Sequence, residues 1–146
     1  MEDLVFSTTD VFNRKVDLKQ STWEDKILNT SGANVNHQHG NSHPEMNDYL
    51  DQIQQTIESP LYIIRDMMET TANNQAIIVP NPKREEFYRV YNDETANKLQ
   101  GLKVIIEYDD DSSVAVHGEV VTTHKVSKVS SISTSGGIIY DAFSKK

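Results

Sequence analysis

Cysteine is absent from this chain. That excludes a disulfide framework, thiolate-bound zinc, an iron–sulfur cluster and a cysteine nucleophile. Glycine and proline are scarce, at 6 and 4 residues, so a collagen-like or low-complexity chain is excluded as well. No apolar run approaches the roughly 20 residues of a membrane span. The first ten residues, MEDLVFSTTD, are acidic and unlike a secretory signal. A cytoplasmic protein without membrane contact is expected.

The 146 residues suit one domain spanning 1–146. The 14 basic and 22 acidic side chains leave a net charge of −8, which argues against broad electrostatic binding of nucleic acid. The charge is uneven. Residues 1–82 hold 5 Lys and Arg against 12 Asp and Glu, whereas residues 83–146 hold 9 against 10. A local cationic site in the second half is compatible with the acidic whole.

Residues 3–20 alternate as a β-hairpin turning at Phe12-Asn13-Arg14. Ser21 and Glu24 fit a capping box, opening a helix with Trp23, Ile27 and Leu28 on one side. Residues 30–42, TSGANVNHQHGNS, lack apolar periodicity and read as a flexible inserted loop. Pro44 opens a helix over 44–58, whose stripe is Met46, Tyr49, Leu50, Ile53 and Ile57. Residues 66–75 are ambiguous between a helical turn and a loop. From residue 76 the period is two, with strands at 76–79, 85–91, 102–108, 114–123 and 138–140; Pro80-Asn81-Pro82 reads as a turn. Helices early and strands late predict an α+β fold, with helices packed on one face of an antiparallel sheet.

Three histidines, His37, His39 and His43, have a spacing that zinc could use. The loop supplies no Asp, Glu or Cys to complete a set, so no metal and no cofactor are expected. His43 sits at a helix start, where the dipole disfavours imidazolium and keeps the ring a base. The plain alternative is a helix cap or a packed ring. Arg89 shares a strand face with Phe87 and Tyr91, an arrangement that can hold a phosphate while rings stack on bases. It is equally an arginine lying over tyrosine on a solvated sheet. Thr122 and Thr123 end the next strand, where hydroxyls could bond a phosphate, though threonine is also a good strand residue.

The ordered series of hairpin, TW, HPEM, I-x-S-P, FYRV, LKVIIE, VVT and GGIIY resembles the phage and mobile-element branch of the barnase, EndoU, colicin and RelE-like nuclease superfamily, over roughly residues 4–141. The resemblance implies helices on an approximately four-stranded antiparallel sheet. It implies an RNase-like toxin or host-takeover nuclease in the cytoplasm of a bacterial host, cleaving RNA, tRNA included, without metal by attack of the 2′-OH. It carries over His43, Arg89, Thr122, Thr123 and Tyr140 as catalytic residues. Trp23 is followed by Glu24, Asp25 and Lys26 where such proteins often show a His. Lys26 stands in as a cation, or a catalytic His is lost. In the second case the chain is a degenerate nuclease fold that binds a host or antitoxin protein as an inhibitor or regulator.

Overall fold

The computed structural model describes residues 3–28, 44–93, 98–109, 116–126 and 136–143. The expected hairpin is present. Strands β1 (Leu4–Thr9) and β2 (Lys15–Lys19) pair antiparallel. Asp10 builds their turn: its Oδ1 accepts the backbone N–H of Phe12 at 2.8 Å and of Arg14 at 2.9 Å. Asn13 supplies the positive φ of 64° that asparagine tolerates better than most residues.

The helical elements are smaller than their sequence pattern predicts. The Trp23 segment is a π-helical turn, Thr22–Leu28, with Trp23, Ile27 and Leu28 buried. The expected helix 44–58 is a 3₁₀ turn over Pro44–Tyr49 followed by one nine-residue helix, α1 (Leu50–Glu58). Within it the stripe is correct: Met46, Ile53 and Ile57 are fully buried, and Tyr49 and Leu50 pack against the same cluster.

Five further strands follow: β3 (Tyr62–Ala72), β4 (Gln75–Asp93), β5 (Lys98–Tyr108), β6 (His117–Val126) and β7 (Ile138–Asp141). All seven form one sheet in the order β1-β2-β6-β5-β4-β3-β7. Neighbours are antiparallel except β2 and β6, which run parallel. The α+β expectation, helices on a four-stranded antiparallel sheet, is therefore incorrect. Among the described residues the fold is a seven-stranded mixed sheet with one short α-helix. Two local misreadings produce the difference. The ambiguous stretch 66–75 is mostly strand, and Pro80-Asn81-Pro82 does not end β4 but bends it. The hairpin and β7 then join the sheet through pairings between segments far apart in sequence.

The sheet is curled. Phe12, at the β1–β2 turn, meets Tyr140 of β7 edge-to-face at 5.7 Å, although β1 and β7 are the two ends of the strand order. Strand twist accumulated over seven strands brings these edges together. Helix α1 contacts β1, β4 and β5, so it lies in the concave side. Val16, Leu18, Ile63, Phe87, Leu102, Val104, Ile106 and Val120 from the sheet join Trp23, Ile27, Leu28, Met46, Ile53 and Ile57 in one core.

Candidate functional site

The residues singled out from sequence are spread through this fold. Tyr140, Ile63, Phe87, Val104 and Thr123 form one row across five adjacent strands. Tyr140 and Thr123 are thus four strand spacings apart, ~19 Å along the sheet, and the three residues between them are core. Thr123 is fully buried, and its hydroxyl donates to the Lys103 carbonyl at 2.7 Å. Thr122 pairs with Ile105 on the opposite face. Arg89 donates Nη1 to the Ser59 carbonyl just past α1, where a cation complements the helix's negative end. Its guanidinium also lies 5.7 Å from the Tyr91 ring centroid. Lys26 is exposed on the π-helical turn. His43, like His37, His39 and the loop 30–42, lies outside the described residues. Among the described residues no cluster of His, Asp or Glu could hold a metal ion, and no helix is long and apolar enough to cross a membrane.

What the sheet does present is a projecting two-stranded arm. β3 and β4 continue past their neighbours. β7 pairs with β3 only at Tyr62–Ile64, and β5 pairs with β4 only from Arg84 to Asp93. Beyond these, among the described residues, Met67–Ala72 and Gln75–Pro80 pair with each other alone. Ala72 pairs with Gln75, so Asn73 and Asn74 form a two-residue turn. Their φ values of 54° and 63° are those of the type I′ turn that matches strand twist. Every residue from Met68 to Ile78 is exposed, Ile78 to 62%. The thirteen residues 70–82 carry no charge.

The root of the arm is built more firmly. Between Arg65 and Met67, one residue of β3, Asp66, stands against four of β4, 81–84, because Arg65 pairs with Glu85 and Met67 with Pro80. Arg65 clamps the extra backbone, donating Nη1 to the carbonyls of Asn81 at 3.3 Å and Pro82 at 3.0 Å. Asn81 Oδ1 accepts the Lys83 N–H at 3.0 Å. Proline is compatible with such a bulge because no ladder bond is required there.

Behind this root lies a buried ionic network. Arg14 donates Nε to Asp10 at 2.7 Å, and Nη1 and Nη2 to Glu85 at 3.0 and 2.7 Å. Tyr108 donates its hydroxyl to Asp10 at 2.7 Å, and its ring lies 3.9 Å below the Arg14 guanidinium. Burial alone would lower the Arg14 pKa, but the hydrogen bond and charge of Glu85 outweigh it and hold the group above its ordinary value. Burial and the bond to Asp10 raise the Tyr108 phenol. Gly118 makes room for that ring, since a Cβ there would come within 2.6 Å of it. The Arg14 cation is already faced by two carboxylates, Asp10 and Glu85, so the network is a tie between the hairpin and β4 rather than an anion site.

On the outer face, Glu86 and Tyr88 are buried beside Lys103, whose Nζ is 3.6 Å from Glu86. Tyr88 donates its hydroxyl to Glu86. Burial, and then a hydrogen bond with Asp66, push Glu86 up to about 7. A depression of about 220 Å³ is lined by Lys83, Glu107, Tyr108, Asp109, His117 and Glu119. Its charged groups are largely engaged already: Glu107 with Arg84, Glu119 with Lys19, and His117 with Asp17.

Neither the arm nor the network was identified from sequence. Asn73-Asn74 flanked by Thr70-Thr71 and Ile77-Ile78-Val79 is a usable hairpin signal. Arg14 and Glu85 are 71 residues apart and leave no local pattern. The chain matches no family model, no curated protein and no solved structure.

Proposed function

We propose that this chain is a protein-binding module whose β3–β4 arm docks another polypeptide. The observation that carries this reading is the arm itself: a twisted ribbon with a single charge, Glu69, with exposed Met68, Ile77 and Ile78 and outer backbone edges that pair with no third strand among the described residues. Such edges take up an added strand, with backbone hydrogen bonds supplying affinity and alternate side chains supplying specificity.

Metal-independent RNA cleavage is the second reading. One observation favours an RNA-facing surface: two cation–ring pairs, Arg89 with Tyr91 and Lys125 with Tyr49, flank α1, a combination that suits single-stranded nucleic acid. Against cleavage stand the separation of Tyr140 from Thr123 and the engagement of the Thr123 hydroxyl.

A photoreactive side chain placed at Ile78 or, as control, at exposed Asp48 separates the two in the cells that make the protein. A polypeptide adduct from position 78 alone is expected, with no cleavage of total RNA or tRNA in the presence of EDTA. Absence of an adduct from position 78 overturns the binding reading. EDTA-resistant cleavage that is lost in Arg89→Ala establishes the nuclease instead.

A further inference from the structure

We propose that the polypeptide docked by the arm is a second copy of this chain, added edge to edge along Gln75–Val79; this rests on the binding reading above. Four observations lead there.

The first is geometry. The two-residue turn makes Ala72 and Gln75 a hydrogen-bonded pair, and the alternation of an antiparallel ladder then directs the N–H and C=O of Ala76 and Ile78 away from β3. A two-fold axis through Ile77 sets Ala76 opposite Ile78 of the copy and Ile78 opposite Ala76. Each pair exchanges two backbone hydrogen bonds, giving four in all. Ile77 meets Ile77, and Gln75 meets Val79. The contact is isologous and closed, as a dimer requires. Pro80, which lacks an N–H, ends the usable edge one residue later.

The second is charge. Each copy carries −8, so two copies repel unless they touch through neutral surface. Between Met67 and Pro80 the arm has one charged residue, Glu69. A basic partner would be selected by acidic side chains in the contact, and the arm does not offer them. A neutral contact suits a partner of the same sign.

The third is reach. Six residues of strand, Met67 to Ala72, extend ~20 Å, while charges at physiological salt are screened over ~8 Å. An arm of this length holds two acidic bodies beyond the range of their repulsion. The fourth is stability. A lone two-stranded ribbon is marginal in water, and three or more strands with an apolar face are needed for independent stability. Pairing two arms makes a four-stranded sheet with Met68, Ile77 and Val79 of both copies on one face.

Sedimentation of the full chain from micromolar to several hundred micromolar provides the test. A wild-type dimer is expected. Ile77→Glu, which sets like charges opposite each other across the axis, should be monomeric, with unchanged far-UV circular dichroism and the thermal midpoint of wild type diluted to monomer. Ala76→Pro removes one outward N–H from each copy and no bond within the chain, and should weaken dimerisation roughly tenfold or more. A monomeric wild type overturns self-association, as does a dimer that survives Ile77→Glu. A monomer that still yields an Ile78 adduct with a different polypeptide overturns the second copy alone. Failure of both the dimer and the adduct overturns the arm as a docking element.

Discussion

Arg14 on the β1–β2 hairpin and Glu85 on β4 are joined by two parallel hydrogen bonds of 3.0 and 2.7 Å, although β2, β6 and β5 separate β1 from β4 in the sheet. The pair spans the concave side and ties the rolled-over hairpin to the root of the arm. Bidentate guanidinium–carboxylate geometry of this kind is both strong and orienting.

Removing one partner should therefore cost more than removing both. Arg14→Met removes the main counter-charge of two buried carboxylates: Asp10 keeps its bonds from Tyr108 and the backbone, and Glu85 is left with the longer contact to Arg65 at 3.8 Å. A loss of about 3 kcal/mol in urea unfolding is expected. Arg14→Met combined with Glu85→Gln should recover part of that loss, because the stranded charge at 85 is gone. A double variant no more stable than Arg14→Met would show that the pair contributes nothing through charge.

Helix α1 offers a graded comparison. Ile53 is fully buried, whereas Leu50 is only half-buried. Ile53→Ala should destabilise by about 2–5 kcal/mol through lost burial and an unfilled cavity. Leu50→Ala should cost clearly less, since solvent can occupy part of the space. Equal losses at the two positions in chemical denaturation would contradict the way the helix is seated.

The arm should open as a local unit that contributes little to the core. Asn73→Val and Asn74→Val place β-branched residues at positive φ, which they tolerate poorly. In the double variant, amide exchange across residues 68–79 should accelerate while the global midpoint moves little. Asn74→Gly should preserve or slow exchange, since Asn-Gly is a preferred pair for this turn. A global loss of stability in the valine variant would mean that the arm is part of the core.

These tests follow the division between what the sequence discloses and what it does not. Period-two alternation located the N-terminal hairpin, β5, β6 and β7, and the i, i+3, i+4 stripe located the face of α1. Each of these signals is local. The arm was obscured because Pro80 and Pro82 are strong turn residues, while the actual turn uses Asn73 and Asn74. The parallel pairing of β2 with β6 and the placement of β7 beside β3 depend on contacts between distant segments, and these decide the fold class. The same holds for the candidate site. Arg89, Thr123 and Tyr140 stand at suggestive sequence positions, but a helix terminus, a backbone carbonyl and a core row claim them.

The outer-face carboxylate Glu86 predicts the pH dependence. It is buried next to Asp66 and accepts the Tyr88 hydroxyl; Lys103 at 3.6 Å offsets only part of the cost of charging it. In the folded protein its pKa is pushed up from the ordinary 4.5 to about 7. Between these two values the folded chain retains a proton that the unfolded chain has released. Stability must therefore fall as pH rises through that window. The contribution is fully present below the lower value and lost above the upper one. The side chain is 12% exposed, so solvent screens it little. At about 1.4 kcal/mol per unit, the change is of the order of ~3 kcal/mol. Glu86→Gln imitates the protonated form and cannot ionise. It should flatten the profile between pH 5 and 7 and leave the variant more stable than wild type near ~pH 8. Urea unfolding of both proteins at a series of pH values checks this directly, and parallel profiles across the window would place the raised proton affinity elsewhere than at Glu86.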